Sequence, residues 1–285
     1  MRQLSRYLVL RLYELKIRGI ELLRLLRLRC LAPEARICSY RGLLELAREQ
    51  ARSRETCHIV AAGWSATGLE RAGCIGERDY VIGMNHSAFM PLRFDLYFVE
   101  IADGRRVSRI QRRLLRKTAA DRIGLLVYKN LWHQDRRSIA GAARWYGSSA
   151  LFSMDVMAAL IDNEQLEDMV DRMLGAPGLF MEQRASTAIS AAVAAFHLGF
   201  RRIVVHGVDF GGSHFYVAEA YRRASRLPSP FPATTGSHTA SAYPNGQQVI
   251  WPVLIRALAA RGVRVYAGSP QSPFADLAPV FAVPS

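Results

Sequence analysis

Lysine is nearly absent from the chain. Of 38 basic residues among 285, only Lys16, Lys117 and Lys129 are lysines, so arginine carries the formal charge of +14. An arginine-dominated surface suits phosphate-bearing partners, because the guanidinium fork matches phosphate oxygens, although a chain-wide bias toward Arg and Ala would give the same composition. The four cysteines, Cys30, Cys38, Cys57 and Cys74, show no C-x-x-C spacing and no His pair beside them. That argues against a zinc site or a disulfide framework and fits a reduced, cytoplasmic setting. No run reaches the ~20 apolar residues that a membrane-spanning helix needs, and no small-residue cleavage site follows an apolar stretch at the N-terminus. The expectation is a protein neither secreted nor integral to a membrane. G-x-G-x-x-G and P-loop motifs are missing too, so neither a nicotinamide cofactor nor ATP is indicated. What the chain does have is 50% hydrophobic residues, ample for a buried core.

Residues 1–35 differ from the rest. Arg11, Glu14, Arg18 and Glu21 repeat at three and four residues, beside a stripe of Leu8, Leu12, Leu15, Leu22 and Leu26. This predicts a basic amphipathic helix suited to an anionic membrane surface, or to packing on a domain or partner. From Cys57 onward, short β-branched runs alternate with helical patterns, the signature of a parallel sheet covered by helices. Strands are expected at 57–62, 80–84, 95–100, 124–128, 202–207 and 263–267, with helices at 104–118, 136–145, 155–174, 186–199 and 247–261. Residues 36–285 read as one α/β domain. Within it, 211–248 is rich in Pro, Gly, Ser and Thr and is expected to be a lid or binding loop.

Several strand ends carry polar groups. In AAGWSATG, Gly63 allows close backbone approach to a ligand, while the Ser65 and Thr67 hydroxyls can bind it where strands meet a crevice. After the next strand, Asn85 offers both a donor and an acceptor, or simply forms a turn. Further on, Ser186 or Thr187 can cap a helix with Arg184 just ahead of it, a place where a phosphate would meet backbone N–H groups and a guanidinium. GVDFGGSHFY, from Gly207 to Tyr216, then follows the apolar run Ile203-Val204-Val205. His197, in a helix, and His206, on a strand, are expected to be satisfied core residues. The loop histidines His214 and His238 are left as candidate bases. The basic segment Arg105 to Lys117 reads as a solvated face or a contact for an anionic acceptor, and no nucleic-acid-binding signature accompanies the charge.

The order AAGWSATG, VIGMNHS, EQRASTAISAAVAAFHLGFRRIVVHGVDF, GSHTASAYPNG and GVRVYAGSPQSPFADLAP resembles the bacterial sialyltransferases of glycosyltransferase family 42, from about Cys57 to Pro279. The resemblance implies a single Rossmann-like, GT-A-like nucleotide-binding domain with a lid. It also implies inverting transfer of sialic acid or a related acidic keto-sugar from a CMP-sugar, without a metal or other cofactor, to a glycan or glycolipid in lipopolysaccharide synthesis. Carried over, Gly63, Trp64 and Ser65 line the nucleotide site, and Asn85, Ser186, Thr187, Asp209 and Phe210 contact the donor. Arg184 and Tyr216 serve the leaving phosphate, with Tyr243 as a substitute, and His238 is the base. Two positions depart from the family: Trp64 replaces an Asn, and Gly211 replaces a Tyr. The alternatives are an ATP- and Mg-dependent diphosphokinase of similar layout and a nucleotide-binding scaffold without activity. The expected location is the cytoplasmic face of the inner membrane, and assembly into a homo-oligomer stays open.

Overall fold

The computed structural model describes residues 40–100, 122–129, 166–175, 186–212, 214–215 and 246–282, the pairs 36–37 and 150–151, and nine single positions between Leu8 and Cys30. The elements in chain order are β1 (Arg36–Ile37), α1 (Tyr40–Ala51), β2 (Thr56–Val60), β3 (Tyr80–Met84), β4 (Phe94–Glu100), β5 (Ile123–Lys129), β6 (Ala150–Leu151), α2 (Leu166–Gly175), α3 (Ser186–His197), β7 (Arg202–His206), α4 (Gln247–Ala259) and β8 (Arg264–Ala267). The eight strands form one sheet in the order β1-β6-β5-β4-β3-β2-β7-β8. Every pairing is parallel. The α/β architecture expected from the strand and helix rhythm is therefore present.

β2 and β3 are buried along their whole length, which explains why neither alternates in and out, since a strand covered on both faces has no reason to, although β2 also buries Thr56 and His58. Cys57, Ile59, Ile82, Leu96, Val127, Ile203, Val205 and Val265 meet buried residues of α1, α2, α3 and α4 in a single core. Among the described helices α3 lies innermost, with every residue from Thr187 to Ala195 buried. Its run of Ala and Ser lets it lie close to the sheet while α2 and α4 pack over it. It ends as expected at Gly199, whose φ of 98° is left-handed. There the N–H groups of Gly199 and Phe200 donate to the Phe196 and Ala195 carbonyls, a Schellman stop.

The expected strands are all found, each within two residues at either end. α1 is an addition, as are the two-residue strands β1 and β6. The helices expected at 104–118 and 136–145, the part of 155–174 before Leu166, and most of the lid lie outside the described residues. Beyond β8, residues near the C-terminus return to the sheet: Ala267 N–H donates to Pro279 O, and Phe281 N–H donates to Ala267 O.

Candidate active site

Strand order locates the site. From β2 the chain steps outward through β3, β4, β5 and β6 on one side, then crosses to place β7 and β8 on the other. This reversal opens a crevice above the carboxyl ends of β2 and β7, where ligands of open α/β sheets bind. α3 runs into β7 antiparallel to the strands, so its N-terminus lies at that same edge.

The loops after β2 and β7 are joined into one wall. Ala61 N–H donates to His206 O (2.9 Å), Gly63 N–H to Gly207 O (2.8 Å), and Phe215 N–H to Ala62 O (3.1 Å). Gly63 and His214 form an antiparallel bridge. Asp209 completes the joint, with its carboxylate accepting from Ser65 N–H (2.8 Å), from Ser65 Oγ, and from Ser272 Oγ (2.9 Å). One buried carboxylate thereby ties together the loops after β2, β7 and β8. Ionised carboxylates make strong bonds with such donors, each about 1.5–3 kcal/mol.

These contacts give several of the expected residues roles within the chain itself. Gly63 is required by its own chain, since a Cβ there would stand 2.4 Å from Gly207 O and 2.5 Å from Asp209 Oδ2. Ser65 gives its hydroxyl hydrogen to Asp209, and Thr67 gives its own to Trp64 O (2.6 Å), so neither hydroxyl hydrogen points to a ligand. Asp209 acts as the clamp of the wall. The fourth residue of this loop, Trp64, is 36% exposed and has Gly212 against its indole, placing an aromatic surface at the rim.

The second wall comes from β3 and α3. Asn85 adopts φ 48° and is fixed by its backbone: its N–H donates to Phe98 O (2.9 Å), and its carbonyl accepts from the buried Tyr97 hydroxyl (2.7 Å). The same hydroxyl accepts from Ala88 N–H (2.8 Å). With the turn held this way, Asn85 Nδ2 reaches Thr187 Oγ1 at 3.5 Å, a long contact that joins two motifs 102 residues apart. The expected cap on α3 is not made by Ser186. Its backbone is left-handed (φ 67°), and its buried Oγ has no hydrogen-bond partner. Leaving such a hydroxyl unsatisfied costs about 1–3 kcal/mol. Among the described residues the non-glycine positions with positive φ are Asn85, Ser186 and Phe210, and all three stand at this edge. Such backbone strain concentrates where a site is held in shape by its surroundings. Phe210 (φ 57°) is anchored by its ring, which stacks on Phe274 at 6.2 Å.

Solved structures with a similar chain path include the sialyltransferase CST-II in complex with a trisaccharide acceptor and CMP (TM-score 0.47, 13% identity, 80% of this chain and 87% of that one). Another is the monofunctional α-2,3-sialyltransferase Cst-I from Campylobacter jejuni (TM-score 0.49, 12% identity, 80% of each chain). A third is CstII from Campylobacter jejuni in complex with a substrate analogue (TM-score 0.47, 13% identity, 80% and 87%). No protein-family model matches the chain, and no curated protein does.

His86 follows Asn85 and stacks on Phe89 (ring centroids 6.0 Å apart). Burial, with the nearby His214 adding to it, lowers its pKa to about 4, so the ring is neutral at physiological pH. His206 is buried as expected, and His197 is half-buried, each with hydrogen-bond partners. His197 Nδ1 lies 3.1 Å from the Tyr40 hydroxyl and its Nε2 3.3 Å from Leu174 O. His206 Nε2 bonds His58 Nδ1 at 2.9 Å, and His58 Nε2 faces Asp79 Oδ2 at 3.3 Å. Burial holds His206 at a pKa of about 3, with the neighbouring His58 reinforcing it. Ser272, Tyr97 and the His58–His206 pair were not singled out from the sequence. Only Ser272 carried a local signal, as a serine ahead of Pro273 at the start of a short turn whose Phe274 N–H it receives. Arg184, Tyr216, His238 and Tyr243 lie outside the described residues. Among the described residues, no group of three His, Cys, Asp or Glu side chains is placed to hold a metal ion.

Proposed function

We propose that the chain is a glycosyltransferase that moves sialic acid or a related acidic keto-sugar from a CMP-sugar to a glycan or glycolipid. The observation that carries this reading is the convergence of the motifs. The loops after β2, β3, β7 and β8 and the start of α3, which hold the residues resembling family 42, gather at one crevice through the Asp209 clamp and the Asn85–Thr187 contact. In this reading the N-terminal N–H groups of α3 and the Ser186 hydroxyl receive the donor phosphate, as helix N-termini favour anions. Trp64 offers its exposed face to the pyrimidine ring.

Transfer requires a bond from the acceptor oxygen to the anomeric carbon while the bond from that carbon to the phosphate oxygen breaks. His238 takes the acceptor proton, and Tyr216 and Arg184, with Tyr243 as a substitute, stabilise the charge left on CMP. Attack opposite the leaving phosphate inverts the anomeric centre. A monophosphate leaving group carries less charge than a diphosphate, which fits transfer without a metal. The test is thermal stabilisation by CMP in the absence of Mg²⁺, followed by transfer from CMP-sugars with His238→Ala as control. The variant keeps CMP affinity and loses turnover. Stabilisation only by ATP with Mg²⁺, or full turnover by the variant, would refute the reading.

The same proposal places the enzyme at the anionic cytoplasmic face of the inner membrane. Leu8, Leu12, Leu15, Leu22, Leu23 and Leu26 are helical and 51–68% exposed. Among the described residues only Trp64, Val249 and Val280 are other large exposed apolar side chains. Residues 1–30 hold eight basic side chains against Glu14 and Glu21, so anionic lipid complements the stripe, whereas a second copy would bring net like charges together.

A further inference from the structure

At the opposite edge of the sheet, below the amino ends of β2, β7 and β8, lies a cleft of about 610 Å³ lined by Arg54, Glu55, Arg201, Arg202 and Arg264. The register creates it. Thr56 pairs with Arg202, and Arg202 with Arg264, so basic residues that are distant in sequence begin neighbouring strands at one level. Residues in register on adjacent parallel strands point to the same face about 5 Å apart, which sets the Arg202 and Arg264 stems side by side. The turns entering β7 and β8 form the floor. Gly199 and Gly262 end α3 and α4 in left-handed conformations, and a Cβ on either would meet nothing within 4 Å.

The charges here do not balance. Arg202 pairs with Glu55, the single carboxylate in the lining. Arg54 turns toward the Glu77 and Asp79 carbonyls and lies 4.0 Å from Asp95. Arg201 spends one N–H group on Arg261 O (2.9 Å). Among the described residues, none forms a hydrogen bond or ion pair with the exposed Arg264 side chain. With Arg54 and Arg202 each facing a carboxylate, Arg201 and Arg264 carry the uncompensated charge of the recess, and a tetrahedral oxyanion can accept from both forks at once.

We propose that this cleft is a binding site for a phosphate group, separate from the crevice at the carboxyl edge; only the CMP control in its test rests on the sugar-transfer reading. Inorganic phosphate and the phosphomonoester of a lipid headgroup share the required chemistry.

The full chain is titrated with inorganic phosphate at constant ionic strength, with CMP present throughout to keep phosphate out of the other crevice. Tenfold above its Kd, phosphate should raise Tm by about 3 °C. Arg264→Gln should remove the rise, Arg264→Lys should retain part of it, and neither should alter the response to CMP alone. Co-sedimentation with phosphatidylcholine vesicles containing phosphatidic acid, against phosphatidylserine at equal surface charge, separates the two sources. A phosphatidic acid preference lost in Arg264→Gln identifies the headgroup; a Tm rise without that preference identifies the free ion. A rise no larger than sodium chloride gives, or one undiminished in Arg264→Gln, together with no such preference, overturns the proposal.

Discussion

Replacing Asp209 by alanine tests whether one carboxylate joins the three loops. The substitution removes the acceptor for the Ser65 N–H at 2.8 Å, the Ser65 hydroxyl and the Ser272 hydroxyl at 2.9 Å. The backbone N–H cannot turn away, so leaving it unsatisfied costs about 2 kcal/mol. The hydroxyls can rotate, and Ser272 Oγ already lies 3.3 Å from Val208 O, so each loses about 1 kcal/mol. The expected loss is thus about 4 kcal/mol, a large part of a typical stability of about 5–15 kcal/mol, read as a Tm fall on the order of 10 °C. Asp209→Asn keeps one carbonyl for the N–H and should cost about half as much. Urea unfolding of Asp209→Ala, Ser272→Ala and the double variant gives the decisive measurement, because residues sharing a bond should be non-additive by about 1 kcal/mol. If Asp209→Ala unfolds within about 1 kcal/mol of the parent, or the two changes add simply, the carboxylate does not hold the wall together.

Gly63→Ala should destabilise by at least about 3 kcal/mol in the same assay, since its Cβ would meet a backbone carbonyl and a buried carboxylate that cannot move aside. Acid should weaken the fold before ordinary carboxylates titrate. His86 and His206 have folded pKa values of about 4 and about 3, below the unfolded value of about 6.5, so the unfolded chain binds more protons. Their stabilisation is complete above that value, and about 2 kcal/mol per residue is lost by about pH 5, measurable as a falling urea midpoint. A flat profile from about pH 7 to 5 would show that neither ring is buried neutral. Deleting residues 1–30 should abolish sedimentation with anionic vesicles and leave transfer to a soluble acceptor intact; retained sedimentation would remove the leucine stripe as the anchor.

Elements whose signal is local were readable from the sequence. The β2, β3 and β7 runs are short, β-branched and buried on both faces, and Gly199 marks the end of α3 because a left-handed residue is needed there. α1, absent from the expected helices, has the same kind of local signal: Tyr40, Leu43, Leu44, Ala47 and Ala51 recur at helical spacing and are its buried face. The two-residue strands β1 and β6 are too short to carry a pattern. In the site, local spacing drew attention to Gly63, Ser65, Asn85, Thr187 and Asp209 but not to the residues they bond. Asp209 meets Ser65 across 144 positions and Ser272 across 63, and His58 meets His206 across 148. Such pairings follow from strand order, which short-range spacing does not encode. A polar residue at a strand end is therefore read as facing a ligand when it is often bonding the neighbouring loop.

The return of residues 279–281 to Ala267 bears on how the sheet ends. β8 is an edge strand, and an uncovered row of N–H and C=O groups is a template for strands of other molecules. The tail occupies the last of these positions on a strand only four residues long, leaving little edge for intermolecular growth. Removing it would leave the end of β8 open to pairing with strands of other molecules.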